Sequence, residues 1–185
     1  MAVLIALLRA VNVGGASSLK MEALRALCPA LGFRHARTLV QSGNLVCAHD
    51  GSDTDAAARQ LEEAVAGITD YRPRVIGRSL PEWQRIIADN PLPVGTERAP
   101  AKVLVMALAE EPGAGALERL LARHDGPEEI ALIGRNLYLH YPDGIGRSKL
   151  TNALIERQLG VPGTARNWNT VEKLAQIARE IETLD

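Results

Sequence analysis

An α+β fold built from two βαββαβ(α) repeats, each an antiparallel sheet with helices on one face, is what this 185-residue sequence predicts. Three observations carry the prediction. Short strand-like runs and amphipathic stretches follow one another in the order of a split βαβ unit. The same order returns after a Pro-rich break at residues 91–100. The only proline-bearing strand of the first half falls where that topology puts an edge.

Val3-Leu-Ile-Ala-Leu-Leu8 is apolar without alternation, as a central strand covered by other elements must be. Asn12-Val-Gly-Gly-Ala-Ser-Ser18 turns the chain into a helix whose face is Leu24, Leu27, Cys28 and Leu31, with Gly32 placed as its C-cap. Thr38–Gln41 and Asn44–Ala48 read as a hairpin around a Ser42-Gly43 turn. Asp53–Ile68 is a helix facing inward with Leu61, Ala64, Val65 and Ile68. Tyr71–Ile76 contains Pro73 and is an edge strand. Ser79 and Glu82 form a capping box for a helix burying Leu80, Trp83 and Ile87.

Residues 1–90 are thus the first subdomain, 91–100 the linker and 101–185 the second subdomain. In the second, Lys102–Leu108 is the apolar strand, Leu117, Leu120 and Leu121 mark a helix, and Glu129–Ile133 and Leu137–Tyr141 flank a turn at Gly134. A helix from about Ser148 to Leu159 stops at Gly160, and a short strand leads to Arg166. A last helix begins at Asn169, where Asn169 and Glu172 form a second capping box, and buries Val171, Leu174, Ala178 and Ile181. The expected strand order in each half is 4-1-3-2.

Composition narrows the function classes. A net charge of −1 gives no global attraction to nucleic acid. The first strand lacks the basic flank of a signal peptide and is too short to span a bilayer, so a cytoplasmic protein without a membrane is expected. Cys28 and Cys47 have no ligand or redox spacing and read as buried thiols. His35, His49, His124 and His140 have no metal-ligand spacing, so no metal is expected. No GxSxG or cysteine–histidine arrangement offers a nucleophile. Central strands without exposed aromatic residues argue against sequence-specific reading of single-stranded RNA. The residues name no cofactor, no reaction and no oligomeric state.

The topology then gathers two polar clusters. Arg9, Asn12, Gly14, Gly15 and Lys20 meet Gln41, Ser42 and Asn44 at one sheet end. Asp143, Gly144, Gly146, Arg147, Ser148 and Lys149 meet Arg166, Asn167 and Asn169 at the end of the other sheet. In the second cluster, two helix N-termini near Ser148 and Asn169 are expected to point their free N–H groups into one space beside Arg147, Lys149 and Arg166. Glycines there let a ligand approach the backbone. That chemistry suits a small anionic or phosphorylated ligand, a nucleotide among them. Arg9, Asn12, Gln41 and Asn44 would add a second wall. The segment Gly144-Ile-Gly-Arg-Ser-Lys149 lacks the order of a Walker motif. Caps and ordinary turns explain the same residues without a ligand. Trp168 reads as a wedge rather than a stacking platform. The alternatives are a non-catalytic protein-interaction or self-association module and, more weakly, a backbone-only nucleic-acid binder.

The blocks Leu7-Leu-Arg-Ala-Val-Asn-Val-Gly-Gly15, Gln41-Ser-Gly-Asn44, Tyr141-Pro-Asp-Gly-Ile-Gly-Arg-Ser-Lys149 and Thr164-Ala-Arg-Asn-Trp-Asn-Thr170 resemble, in order, the signature of a bacterial family called domain of unknown function 1697. Ala10-Val11 departs from the Gly-Ile of the family pattern. The resemblance implies two ferredoxin-like subdomains. It implies no activity and supplies no catalytic residues.

Overall fold

The computed structural model describes residues 1–12 and 18–184. The expected turn at 13–17, with Gly14 and Gly15, lies outside the described residues. The first half runs β1 (Ala2–Leu8), α1 (Met21–Leu27), β2 (Arg34–Leu39), β3 (Asn44–His49), α2 (Thr54–Ala66), β4 (Val75–Ser79) and α3 (Leu80–Ala88). The second runs β5 (Val103–Leu108), α4 (Ala116–Ala122), β6 (Glu129–Ile133), β7 (Asn136–His140), α5 (Asn152–Leu159), β8 (Gly163–Asn167) and α6 (Trp168–Glu182).

Each half forms a four-stranded antiparallel sheet, ordered β2-β3-β1-β4 and β6-β7-β5-β8. The apolar first strand is therefore interior in both, and the strand after Pro73 is an edge. Proline itself lies just outside β4, where it removes no ladder hydrogen bond. By its contacts the chain divides into two units, Met1–Arg85 with Lys173–Asp185 and Ile86–Glu172.

In the first unit Leu4, Ala6 and Leu8 of β1 pack with Leu45 and Cys47 of β3 beneath Leu24 of α1 and Leu61 and Val65 of α2. In the second, Leu104, Met106 and Leu108 pack with Leu137 and Leu139 beneath Leu120 of α4 and Ile155 and Leu159 of α5. The alternate residues Ile5, Leu7, Val46, Val105 and Tyr138 are buried as well. These strands are covered on both faces, which is why they read as unbroken apolar runs.

Local details depart from the sequence expectation. The β2–β3 connection is four residues, Val40–Gly43, rather than two, with φ 51° at Val40 and 71° at Gly43. Gly43 is required there, since a Cβ would lie 2.8 Å from Leu8 Cβ. In α3 Leu80 and Trp83 are buried as expected, with Ile86 in place of Ile87, and Leu121 of α4 is exposed. The Ser79–Glu82 capping box forms as expected, Ser79 N donating to Glu82 Oε2 at 2.7 Å and Glu82 N to Ser79 Oγ at 3.3 Å.

At α6 the cap differs. Asn167 Oδ1 accepts from Thr170 N at 3.0 Å, while Glu172 takes the indole N–H of Trp168. The helix starts at Trp168, one residue early, because Asn167 ends the strand and caps the helix at once. No described helix is long and apolar enough to cross a membrane.

Candidate functional site

The connection between β7 and α5 is held at both ends by burial. Tyr141 and Leu150 are each about 1% exposed, and Tyr141 Oη donates to Leu150 O at 3.1 Å. Lys102 Nζ donates to Pro142 O at 2.5 Å. Between these anchors the chain loops outward through Asp143, Gly144 and a 3-10 turn, Ile145–Arg147. Gly144 takes φ 85°, in the left-handed region that suits glycine.

This loop faces the α4–β6 connection, His124–Glu128. Together they enclose a depression of about 490 Å³, to which Asp143, Arg147, Ser148 and Lys149 contribute from one side. Ser148 is not at the start of α5. That helix begins four residues later, capped by Thr151 Oγ1, which accepts from Leu154 N at 3.2 Å. Ser148 Oγ instead accepts from Leu150 N at 2.9 Å. The N–H groups of Gly144, Arg147, Ser148, Leu150 and Thr151 are all spent within the loop. The paired helix N-termini expected here are therefore absent from the depression: α5 starts at Asn152, and neither Asn167 nor Asn169 at the start of α6 lines it.

Arg147 and Lys149 are exposed, and among the described residues neither is in an ion pair or hydrogen-bonded through its side chain. On the opposite wall His124 Nε2 and Glu128 Oε2 lie 3.0 Å apart, an ion pair whenever the imidazole is protonated, with each side chain only 6% exposed. Neither atom makes a hydrogen bond, to the other or to any other described residue. Gly126 makes this packing feasible. A Cβ there would overlap the Glu128 carboxylate and lie 2.6 Å from His124 Cε1.

Arg166, Asn167 and Asn169 do not line this depression. Arg166 pairs with Val105, whose neighbours Leu104 and Met106 face α4 and α5, so Arg166 points to the other face of the sheet. There it is 8% exposed and donates to Thr164 Oγ1 at 2.7 Å and Ala165 O at 2.9 Å. Burial pushes its pKa down to about 10, so it stays charged at neutral pH. Asn167 is spent on its cap, and Gly146 lies on the loop's outer turn without lining the depression.

The first cluster belongs to the other unit. Asn12 Nδ2 donates to Leu19 O at 2.9 Å and Gln41 O at 2.7 Å, and Asn12 Oδ1 accepts from Leu19 N at 2.9 Å. Asn44 is fully buried and donates to Leu39 O and Ser42 Oγ. Both amides fasten the chain around the hairpin. Gln41 is exposed, and Arg9 is half-buried with its N–H on Arg74 O.

One charged group went unsingled by sequence reasoning. Glu129, at the start of β6, accepts two hydrogen bonds from Arg98, at 2.9 and 2.8 Å, and one contact from His140 Nδ1 at 2.8 Å. The Arg98 bonds first, and His140 second, hold its carboxyl down at about 2. The His124–Glu128 wall was also missed. Its only sequence signal is a His and a Glu four apart around a Gly-Pro turn, which carries no metal spacing. Among the described residues no three His, Cys, Asp or Glu side chains could together hold a metal ion.

The family described as "Protein of unknown function (DUF1697)" matches residues 1–138. The chain belongs to this family. The match ends before Asp143–Lys149 and Arg166–Asn169, so two of the four resembling blocks lie beyond the stretch that establishes membership. The fold extends further. The conserved bacterial protein SP0830 from Streptococcus pneumoniae is similar over 97% of this chain and 99% of its own, with a TM-score of 0.69 at 20% identity. At that identity the likeness carries the architecture alone, so this family member's site must be argued from its own residues. No curated protein matches the chain.

Proposed function

We propose that the protein binds a small phosphorylated or otherwise anionic ligand in the depression between the 124–128 and 143–149 loops. The observation that carries the reading is the pair Arg147 and Lys149, two uncommitted cations lining one depression beside the Ser148 hydroxyl. Uncommitted guanidinium and ammonium groups are what a phosphate needs, since charge-assisted bonds to it are about twice as strong as neutral ones. A volume of about 490 Å³ falls within the range of small-molecule sites, about 300–1,000 Å³. Arg166 has no place in this binding site, being buried on the other face of its sheet. A cytoplasmic setting is part of the proposal, and the two free, buried thiols Cys28 and Cys47 fit it.

Thermal-shift measurements with phosphate, sulfate, nucleotides and sugar phosphates test the reading. At least one anion should raise the melting temperature of the wild type, and an Arg147→Ala/Lys149→Ala double variant should lose most of that rise. Equal stabilisation of the double variant, or none of the wild type, would sink it.

A further inference from the structure

The depression is not a simple basic pocket. Arg147 and Lys149 share it with Asp125 and Asp143, and among the described residues none of the four is in an ion pair. Asp143 and Arg147 sit on one short loop, yet the φ of 85° at Gly144 and the 3-10 turn that follows leave them unpaired across the same open space. Glu128 lies against His124 at 3.0 Å, an ion pair only when the imidazole is protonated. Counted by formal charge, the two cations Arg147 and Lys149 share the space with Asp125 and Asp143, and with Glu128 as a third carboxylate while His124 is neutral.

A bare dianion entering such a space is drawn to Arg147 and Lys149 and repelled by Asp125 and Asp143, so its net attraction is weak. A ligand with an anionic head and a hydrogen-bond-donating tail would meet complementary groups at both ends. The His124 and Glu128 side chains, nine-tenths buried with Nε2 and Oε2 making no hydrogen bond among the described residues, add polar capacity on the same wall.

Resting on the anion-binding reading, we infer that the ligand is a phosphate monoester whose other end carries an ammonium or hydroxyl donor: phosphate on Arg147, Ser148 and Lys149, donor on Asp143 and Asp125. Inorganic phosphate is then a poor ligand and the ester a good one.

Isothermal titration of the full chain with inorganic phosphate, glycerol 3-phosphate, phosphoethanolamine and methyl phosphate decides it. The donor-bearing esters should bind about tenfold or more tighter than methyl phosphate, the contribution of a charge-assisted hydrogen bond. An Asp125→Ala/Asp143→Ala double variant should lose that preference while gaining affinity for inorganic phosphate, because both acceptors and both repulsive charges are gone. Its circular dichroism spectrum should match the wild type, since both residues are exposed.

If all four bind alike, or the Asp125→Ala/Asp143→Ala variant keeps the preference, this inference falls and the anion reading stands. If none of the four binds while a nucleotide or another sugar phosphate still stabilises the chain, this inference falls and the anion reading stands; if no anion of either set binds, both fall. Binding of the esters that survives Arg147→Ala/Lys149→Ala places the ligand elsewhere and overturns both.

Discussion

Glu129 shows how a single side chain couples the chain's stability to pH. Its carboxyl is ordinarily near 4.5 and is held at about 2 by Arg98 and His140. A depressed carboxylate stabilises the fold fully above its ordinary value and loses that contribution as pH falls toward the folded value. Between roughly pH 4.5 and 2 the wild type should therefore shed stability that a Glu129→Gln variant never had. Melting curves across that window should be steeper with pH for the wild type, and parallel curves would refute the assignment. The carboxylate is 41% exposed, so the effect is modest. Asn12 is a second such residue, holding φ 56° and three hydrogen bonds that close the chain between Leu19 and Gln41. Asn12→Ala should cost about 1–3 kcal/mol in urea unfolding, from unmet partners and from alanine's dislike of that backbone region. A loss within error would mean the clasp contributes nothing.

At the scale of elements, caps decide where helices begin, and they decide whether the candidate site has free amides. Ser79 with Glu82, Thr151 and Asn167 each hold a helix start by a side-chain oxygen. Ser79→Ala should lower stability by about 1 kcal/mol, read from the denaturation midpoint, since the cap's Oγ has no substitute. An unchanged midpoint would show that the Glu82 bond to the Ser79 N–H suffices alone. The capping box of α3 was legible because Ser and Glu stand three apart before an apolar face. At α6 the same spacing, Asn169 to Glu172, misled. There Trp168 claimed the carboxylate, and Asn167 was free to cap.

Across the whole molecule, the division into units does not follow the Pro-rich stretch alone. The first unit includes the end of α6, from Lys173, where Leu174, Ala178 and Ile181 are fully buried and Glu180 pairs with Arg37 at 2.6 Å. A fragment of residues 1–90 lacks that helix end. It should show a broad, non-cooperative thermal transition by circular dichroism, whereas the full chain melts sharply. A fragment as cooperative as the intact protein would show that α6 is dispensable to the first unit.

Repeated element order, apolar first strands and turn glycines determined the two βαββαβ halves and their strand order, because periodicity and propensity act locally and the split pattern admits few arrangements. They also placed Asp143–Lys149 at the end of the second sheet. Which polar residues share a space was a different matter, decided only in three dimensions. Strand pleat sent Arg166 to the opposite face from Ala165, and local hydrogen bonds consumed Asn12, Asn44 and Asn167. The α4–β6 loop brought His124, Asp125 and Glu128 against Arg147 and Lys149 from a position with no sequence signature. Side-chain direction and hydrogen-bond competition depend on neighbours distant in sequence, so only the folded chain could assemble that wall.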